Sequence, residues 1–169
     1  RRELGLPADA LPVLQEEYIG DLFQKTGVLT PVELESRFEV YAEQYILSIE
    51  VECKLVIDIA KTKIYPAAVD YLAKLSSTIS SLEGLGVTLE KGSAEKIAEL
   101  TNGMASTIAK LSDALGKHDF GSTGEHMAYC AGTLRPLMDE VREYADALEG
   151  EIADEFWPLP TYQEMLFIK

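Results

Sequence analysis

TPVELESRFEVYAEQYILSIEVECKLVIDIAKTKIYPAAVDYLAKL, residues 30–75, is the stretch that decides the fold. It opens with Thr30, then Pro31 at the first helical position, then Glu33 three residues after the threonine. A capping hydroxyl can accept a free backbone N–H there while Glu33 reaches back to the N–H of Thr30. Behind this start the apolar side chains run Leu34, Phe38, Tyr41, Tyr45, Ile49, Cys53, Val56, Ala60, Ile64, Ala67, Tyr71 and Leu75. Every step is three or four residues, which aligns them along one face of a helix, whereas a strand needs strict alternation. At 1.5 Å per residue the helix is expected to be about 65–75 Å long. Pro66 lies inside it and removes one backbone hydrogen bond. The spacing predicts a kink near residues 63–66 with the apolar stripe in phase on both sides.

Working outward, Pro7 and Pro12 make the first residues irregular, and Leu14, Tyr18, Ile19 and Phe23 predict a short helix over 13–23 that stops at Gly27. On the other side, the hydroxyl-rich residues 76–81 and Glu83-Gly84-Leu85-Gly86 end the long helix. A second long helix is expected from about Thr88, with a stripe of Leu89, Ala94, Ile97, Leu100, Met104, Ile108, Leu111 and Leu115. A third is expected after the turn at 116–121, capped by Ser122 or Thr123, with Glu125 in its first turn. It carries Met127, Cys130, Leu134, Leu137, Val141, Tyr144 and Leu148, and Pro136 is a second kink candidate. The fold class is all-α: an antiparallel, four-helix-bundle-like arrangement of long kinked helices, with a short N-terminal helix and an extended, aromatic-rich C-terminal tail. A last capping box, Thr161-Tyr162-Gln163-Glu164, leads into the final apolar residues.

Length and charge bound the function. The 169 residues suit one domain, and 29 acidic against 15 basic residues give a net charge of −14. Phosphate neutralisation needs clustered Lys and Arg, so nucleic acid is not an expected partner, and neither is an anionic membrane surface. No run approaches the length of a membrane span and no secretory leader is visible, so the cytoplasm is the expected compartment. Cys53 and Cys130 are isolated on apolar faces and read as buried, reduced thiols. The chain begins Arg1-Arg2 without methionine and reads as a piece of a longer polypeptide.

The candidate chemistry is sparse. A di-metal carboxylate bundle needs Glu-x-x-His pairs, but the residues three before His118 and His126 are Leu115 and Thr123. A zinc site from His118, Asp119, His126 and Cys130 would have to converge across a turn, and the two histidines read instead as solvated helix-end residues. The run Asp139, Glu140, Glu143, Asp146, Glu149, Glu151, Asp154 and Glu155 falls opposite Val141, Tyr144 and Leu148, as on a solvated helix face. Gly84, Gly86 and Gly92 do not form a phosphate loop, and Ser80 and Ser81 have no histidine placed to activate them. No residue is expected to be catalytic, cofactor-binding or metal-ligating. The tail is different: Trp157, Leu159, Tyr162, Met165, Leu166, Phe167 and Ile168 crowd together beside Pro158 and Pro160. Left in water they form an apolar patch, so they either fold back on the bundle or dock on a surface outside this chain.

The tail from Trp157 to Ile168 resembles the C-terminus of type III glutamine synthetases. Several upstream stretches share that resemblance: Gly5-Leu6-Pro7 with Ala10-Leu11-Pro12, and Gly27-Val28-Leu29-Thr30 leading into Glu33-Leu34-Glu35-Ser36-Arg37. Further on, so do Glu43-Gln44-Tyr45 and Ile64-Tyr65-Pro66-Ala67-Ala68 with Tyr71. The resemblance implies the C-terminal region of a long oligomeric ligase of nitrogen metabolism. That enzyme joins ammonia to glutamate through a γ-glutamyl phosphate, using ATP and Mg or Mn bound in an upstream catalytic domain. It implies residues 1–29 as a connecting segment, 30–154 as a helical bundle and 155–169 as a docking tail. The implied role is structural and in assembly, the partners being its own catalytic domain and neighbouring subunits of a homo-oligomer. The family tail has basic residues where this chain has Thr161 and Gln163, so the salt bridges they would make are not carried over. The other reading of the residues is a free-standing helical interaction module without enzymatic activity.

Overall fold

The computed structural model describes residues 7–160 and 162–166, and among them every regular element is helical. Helix α1 (Pro7–Ala10) leads into a tight 3-10 turn at Leu11–Gln15, and α2 spans Glu17–Thr26. The sequence placed this helix over 13–23. Pro12 lies in the first positions of the 3-10 turn, and Glu16 is extended (φ −70°, ψ 133°), so the α-helix starts only at Glu17. It stops where expected, on Gly27 at φ 68°, a left-handed conformation that glycine adopts without steric cost.

Helix α3 (Pro31–Ile59) starts on the expected reciprocal cap. The Glu33 carboxylate accepts the Thr30 N–H at 2.7 Å and its hydroxyl at 2.8 Å, and Thr30 Oγ1 accepts the Glu33 N–H at 3.3 Å. These bonds hold the Glu33 carboxyl below the usual carboxylate range. The buried face is Leu34, Phe38, Ala42, Ile46, Ile49 and Cys53. Tyr41 is outside it at 46% exposed, and Tyr45 is half-buried, so the stripe read from the sequence drifts from the real one in its first turns. Ala42 and Ile46, one step on, take the buried positions; Tyr41 turns outward, while Tyr45 keeps its hydroxyl buried.

Pro66 does not break the helix. The chain widens into a π-helical turn at Ala60–Ile64, where the N–H of Tyr65 bonds back five residues to Ala60, and α4 (Tyr65–Glu83) continues with Pro66 in its first turn. The wide turn lets the chain pass a residue that cannot donate. It also inserts one residue into the helical count, so the face is not in phase across it: Ala68 is buried and Ala67 only half-buried. Pro136 is handled the same way. A π-helical turn at Cys130–Leu134, closed by the N–H of Arg135 on Cys130, joins α6 (Thr123–Tyr129) to α7 (Arg135–Glu149).

Helix α5 (Gly92–Leu115) begins later than the sequence suggested. Gly86 at φ 79° turns the chain, residues 87–91 stay irregular, and Leu89 is 42% exposed rather than part of the stripe. Lys91 supplies the carbonyl for the first turn, to the N–H of Glu95, while its ammonium pairs with Glu83 at 2.9 Å. The start of α6 is as expected: Ser122 Oγ accepts the Glu125 N–H at 3.2 Å, and Glu125 accepts the N–H of Gly121 at 2.9 Å.

By internal contacts the chain forms two compact units, residues 1–53 with 114–136, and residues 54–113 with 137–169. In the first, Phe38, Ala42, Ile46, Ile49 and Cys53 are buried, as are Met127, Cys130 and Leu134. In the second, the core is drawn from Ile64 and Ala68, from Ile97, Met104, Ile108 and Leu111 of α5, and from Met138, Val141 and Leu148 of α7. Here α5 and α7 run antiparallel. Lys96 pairs with Glu151 just past the end of α7, a Cβ on Gly103 would meet the Tyr144 ring, and the Thr107 hydroxyl donates to Glu140 at 2.8 Å. Each step forward along α5 is an equal step back along α7. Among the described residues no helix is long and apolar enough to cross a membrane.

Candidate functional site

Two places in the chain gather functional groups, one in each unit. The first is the tail that follows α7. Ile152 is buried, the chain makes a 3-10 turn at Asp154–Phe156, and it then runs extended through Trp157 to Pro160. Phe156 packs on Tyr71 of α4, with ring centroids 5.3 Å apart at 48°. Lys74, one turn along, places its ammonium 4.5 Å from the Phe156 centroid and 2.8 Å from Glu155 Oε1. One lysine therefore holds both a carboxylate and an aromatic face, a pairing stronger than either exposed contact alone.

Of the tail residues singled out in the sequence, Trp157 and Leu159 are half-buried. The indole Nε1 is buried without a hydrogen-bond partner among the described residues. Tyr162 opens a short helix, α8 (Tyr162–Leu166), in which Met165 is 55% and Leu166 80% exposed. Thr161, Phe167 and Ile168 lie outside the described residues, and with them the hydroxyl of the last capping box. Phe156 and Lys74 were not singled out from the sequence, and Tyr71 was read only as a member of the apolar stripe. Phe156 adjoins Trp157 and could have been added to the aromatic run, but nothing local in the sequence points to its partner on α4.

The second place is a cleft of about 440 Å³ in the first unit. Its near wall is α3, with Glu43, Leu47 and Glu50, and its far wall is the turn before α6, with His118 and Phe120, and His126 of α6. The sequence reading of both histidines as solvated holds for His118, which is exposed, and fails for His126. His126 lies 3.4 Å from Glu50 Oε1, both side chains being mostly buried, and stacks on the Phe120 ring at 4.2 Å with planes 10° apart. Tyr129 donates to the Ala114 carbonyl at 3.1 Å, and Lys117 lies over the rings of Tyr129 and Phe120.

Cys53 and Cys130 are buried and free. Burial pushes both thiols up to about 11, with the neighbouring Cys130, Glu52 and Glu50 adding to the shift of Cys53 and Glu50 to that of Cys130. Such thiols are poor nucleophiles and poor metal ligands at neutral pH. Among the described residues no three His, Cys, Asp or Glu side chains converge as a cation site. The acidic run over 139–155 is only in part a solvated helix face: Glu140 of α7 accepts from Thr107, and past the end of α7 Glu151 pairs with Lys96 and the exposed Glu155 with Lys74.

Residues 3–83 match the family described as the glutamine synthetase C-terminal domain. The chain is 29% identical over 171 residues to the type-3 glutamine synthetase of Dictyostelium discoideum, a match that covers 95% of this chain and 23% of that protein. It is 32% identical over 174 residues to a glutamine synthetase of Butyrivibrio fibrisolvens, covering 96% of this chain and 25% of the relative. With a glutamine synthetase of Bacteroides fragilis (strain YCH46) it shares 28% identity over 152 residues, 84% of this chain and 21% of the relative. The chain thus spans about a quarter of the length of the curated relatives it matches.

Proposed function

Through residues 3–83 the chain belongs to the family of glutamine synthetase C-terminal domains, and from that premise we propose that it is the helical structural and assembly domain of a type III glutamine synthetase. The observation that carries this reading is the pair of coverages: a match along 96% of this chain takes up only 25% of the relative. ATP-dependent ligation of ammonia to glutamate then belongs to the remaining length of such a protein. ATP and Mg or Mn are groups of that other part, and no step of the reaction is assigned to a residue here.

In this reading the helices form a four-helix-bundle-like scaffold, which the antiparallel register of α5 and α7 supports. The tail is its docking element. Trp157 and Leu159 anchor it at its root, and Tyr162, Met165, Leu166, Phe167 and Ile168 are assigned to contact with the catalytic part or a neighbouring subunit. The exposure of Met165 and Leu166 supports that assignment, because soluble proteins seldom leave adjacent large apolar side chains uncovered.

The test is an assay of the purified chain with glutamate, ammonia, ATP and Mg²⁺ or Mn²⁺. No glutamine is expected, and turnover above a boiled control overturns the proposal. Sequencing the gene upstream of the Arg1 codon separates the remaining alternative. Several hundred in-frame codons are expected there, and a stop followed by a start codon makes the chain a free-standing interaction module instead.

A further inference from the structure

Helix α3 carries a second apolar face. Val40, Leu47 and Val51 are 56%, 62% and 60% exposed, and they lie about half a turn around the helix from the buried Phe38, Ala42 and Ile49. Gln44 is the polar position between them, so the outward stripe keeps the three-and-four spacing of a helix-pairing seam. Glu39, Glu43 and Glu50 run along one edge of it. Leu47, Glu43 and Glu50 also form the near wall of the cleft of about 440 Å³, so the stripe and the cleft are one continuous surface. Of the nearby cations, Lys117 lies over the rings of Phe120 and Tyr129 at 5.3 and 4.8 Å rather than against these carboxylates, and Arg37 and Lys54 flank the stripe at its two ends, leaving Glu39 and Glu43 along its middle.

Charge decides between occupants. A second copy of this chain brings the same acidic edge and a net charge of −14, which opposes pairing through this face. We infer that the outward face of α3, Val40, Leu47 and Val51 with the adjoining cleft, docks a helical polypeptide segment that presents an apolar stripe bordered by lysine or arginine. The apolar side chains cover the stripe, and a basic side chain meets the exposed Glu43 at the mouth of the cleft, Glu50 being mostly buried beside His126. This surface belongs to the first unit and does not involve the tail.

The probe is a synthetic amphipathic helical peptide with leucines at every third or fourth position and arginines along one border, set against the same peptide with glutamates for arginines. Amide chemical shifts of the whole chain map the binding site, and fluorescence anisotropy gives the affinity. The arginine peptide is expected to shift amides of residues 36–54 and to bind at least tenfold more tightly than the glutamate peptide. Leu47→Glu and Val51→Glu, both at exposed positions, are expected to weaken it at least tenfold. Leu85→Glu, the same change of charge at an exposed position of the second unit, leaves binding unchanged. Equal binding of the two peptides, a shift map elsewhere, or loss with Leu85→Glu overturns the inference. So does sedimentation showing a dimer that Leu47→Glu dissociates, which assigns the face to a second copy. None of these results bears on the tail, which Trp157→Ala addresses separately.

Discussion

Gly103 is the residue at which one absent methyl group matters most. A Cβ there would lie 2.5 Å from Tyr144 Cε1 and 2.6 Å from Cζ, inside any tolerable contact, and the ring is wedged between helices. Gly103→Ala is expected to destabilise by roughly 1–3 kcal/mol in urea titrations, despite alanine's better helix propensity. Combining it with Tyr144→Ala should restore part of that loss. Gly20, in α2, meets nothing within 4 Å, so Gly20→Ala is expected to stabilise by up to about 1 kcal/mol. No motif in the sequence distinguishes these two glycines; only the partner across the gap does. The thiols are also a residue-scale matter. Cys53 and Cys130 keep their protons up to about pH 11 when folded, while an unfolded thiol ionises near pH 8.5. The folded values are raised, so the contribution is complete below the unfolded value and is lost as pH climbs toward the folded one. Burial raises the Tyr45 phenol too, with the same sign. The urea midpoint should fall between about pH 8.5 and 11. The fall should be shallower in the Cys53→Ala/Cys130→Ala variant.

At the scale of the element, the two π-helical turns end two residues before a proline in both cases, at Ile64 before Pro66 and at Leu134 before Pro136. The sequence showed that the helices continue past the prolines, because apolar spacing persists on both sides. It could not show the added residue, since a period of three or four tolerates one extra position by choosing a neighbour, as Ala67 stood in for Ala68. Ala60, Ile64 and Ala68 are all buried across the turn, and a regular helix would displace one side of that set. Pro66→Ala should therefore leave the wide turn in place and change stability by less than about 1 kcal/mol. Deleting the exposed Thr62 should restore a regular helix but rotate α4 about its axis by about 100°. That takes Ala68 out of the core, with an expected loss on the order of 3–5 kcal/mol. The tail divides in the same terms. Trp157→Ala should cost roughly 2–4 kcal/mol in this chain and Leu166→Ala less than about 0.5, since only the first is anchored here.

For the molecule as a whole, 29 acidic residues against 15 basic ones leave an excess of 14 negative charges. Two of the exposed pairs, Lys25 with Asp21 and Arg142 with Asp146, are of the i,i+4 kind, and exposed pairs of any spacing contribute little. Self-repulsion outweighs them, so raising NaCl from 10 to 200 mM should raise the melting temperature rather than lower it. The all-helical class and the caps of α3 and α6 were legible because they are written in local spacing. The pairings that build the two candidate sites were not: Lys74 and Glu155 are 81 residues apart, and no periodicity encodes which turn meets which. His126 looked like a solvated helix-end residue until Glu50 was placed beside it. The gap at Gly103 also has a mechanical meaning. With Tyr144 seated in it, α5 and α7 behave as a key in a keyway. Sliding by one turn, about 5.4 Å, would drive the ring against Glu99 or Thr107, both of which carry a Cβ. Force applied along this pair is thus resisted by the ring in its slot, and the two helices move as one strut.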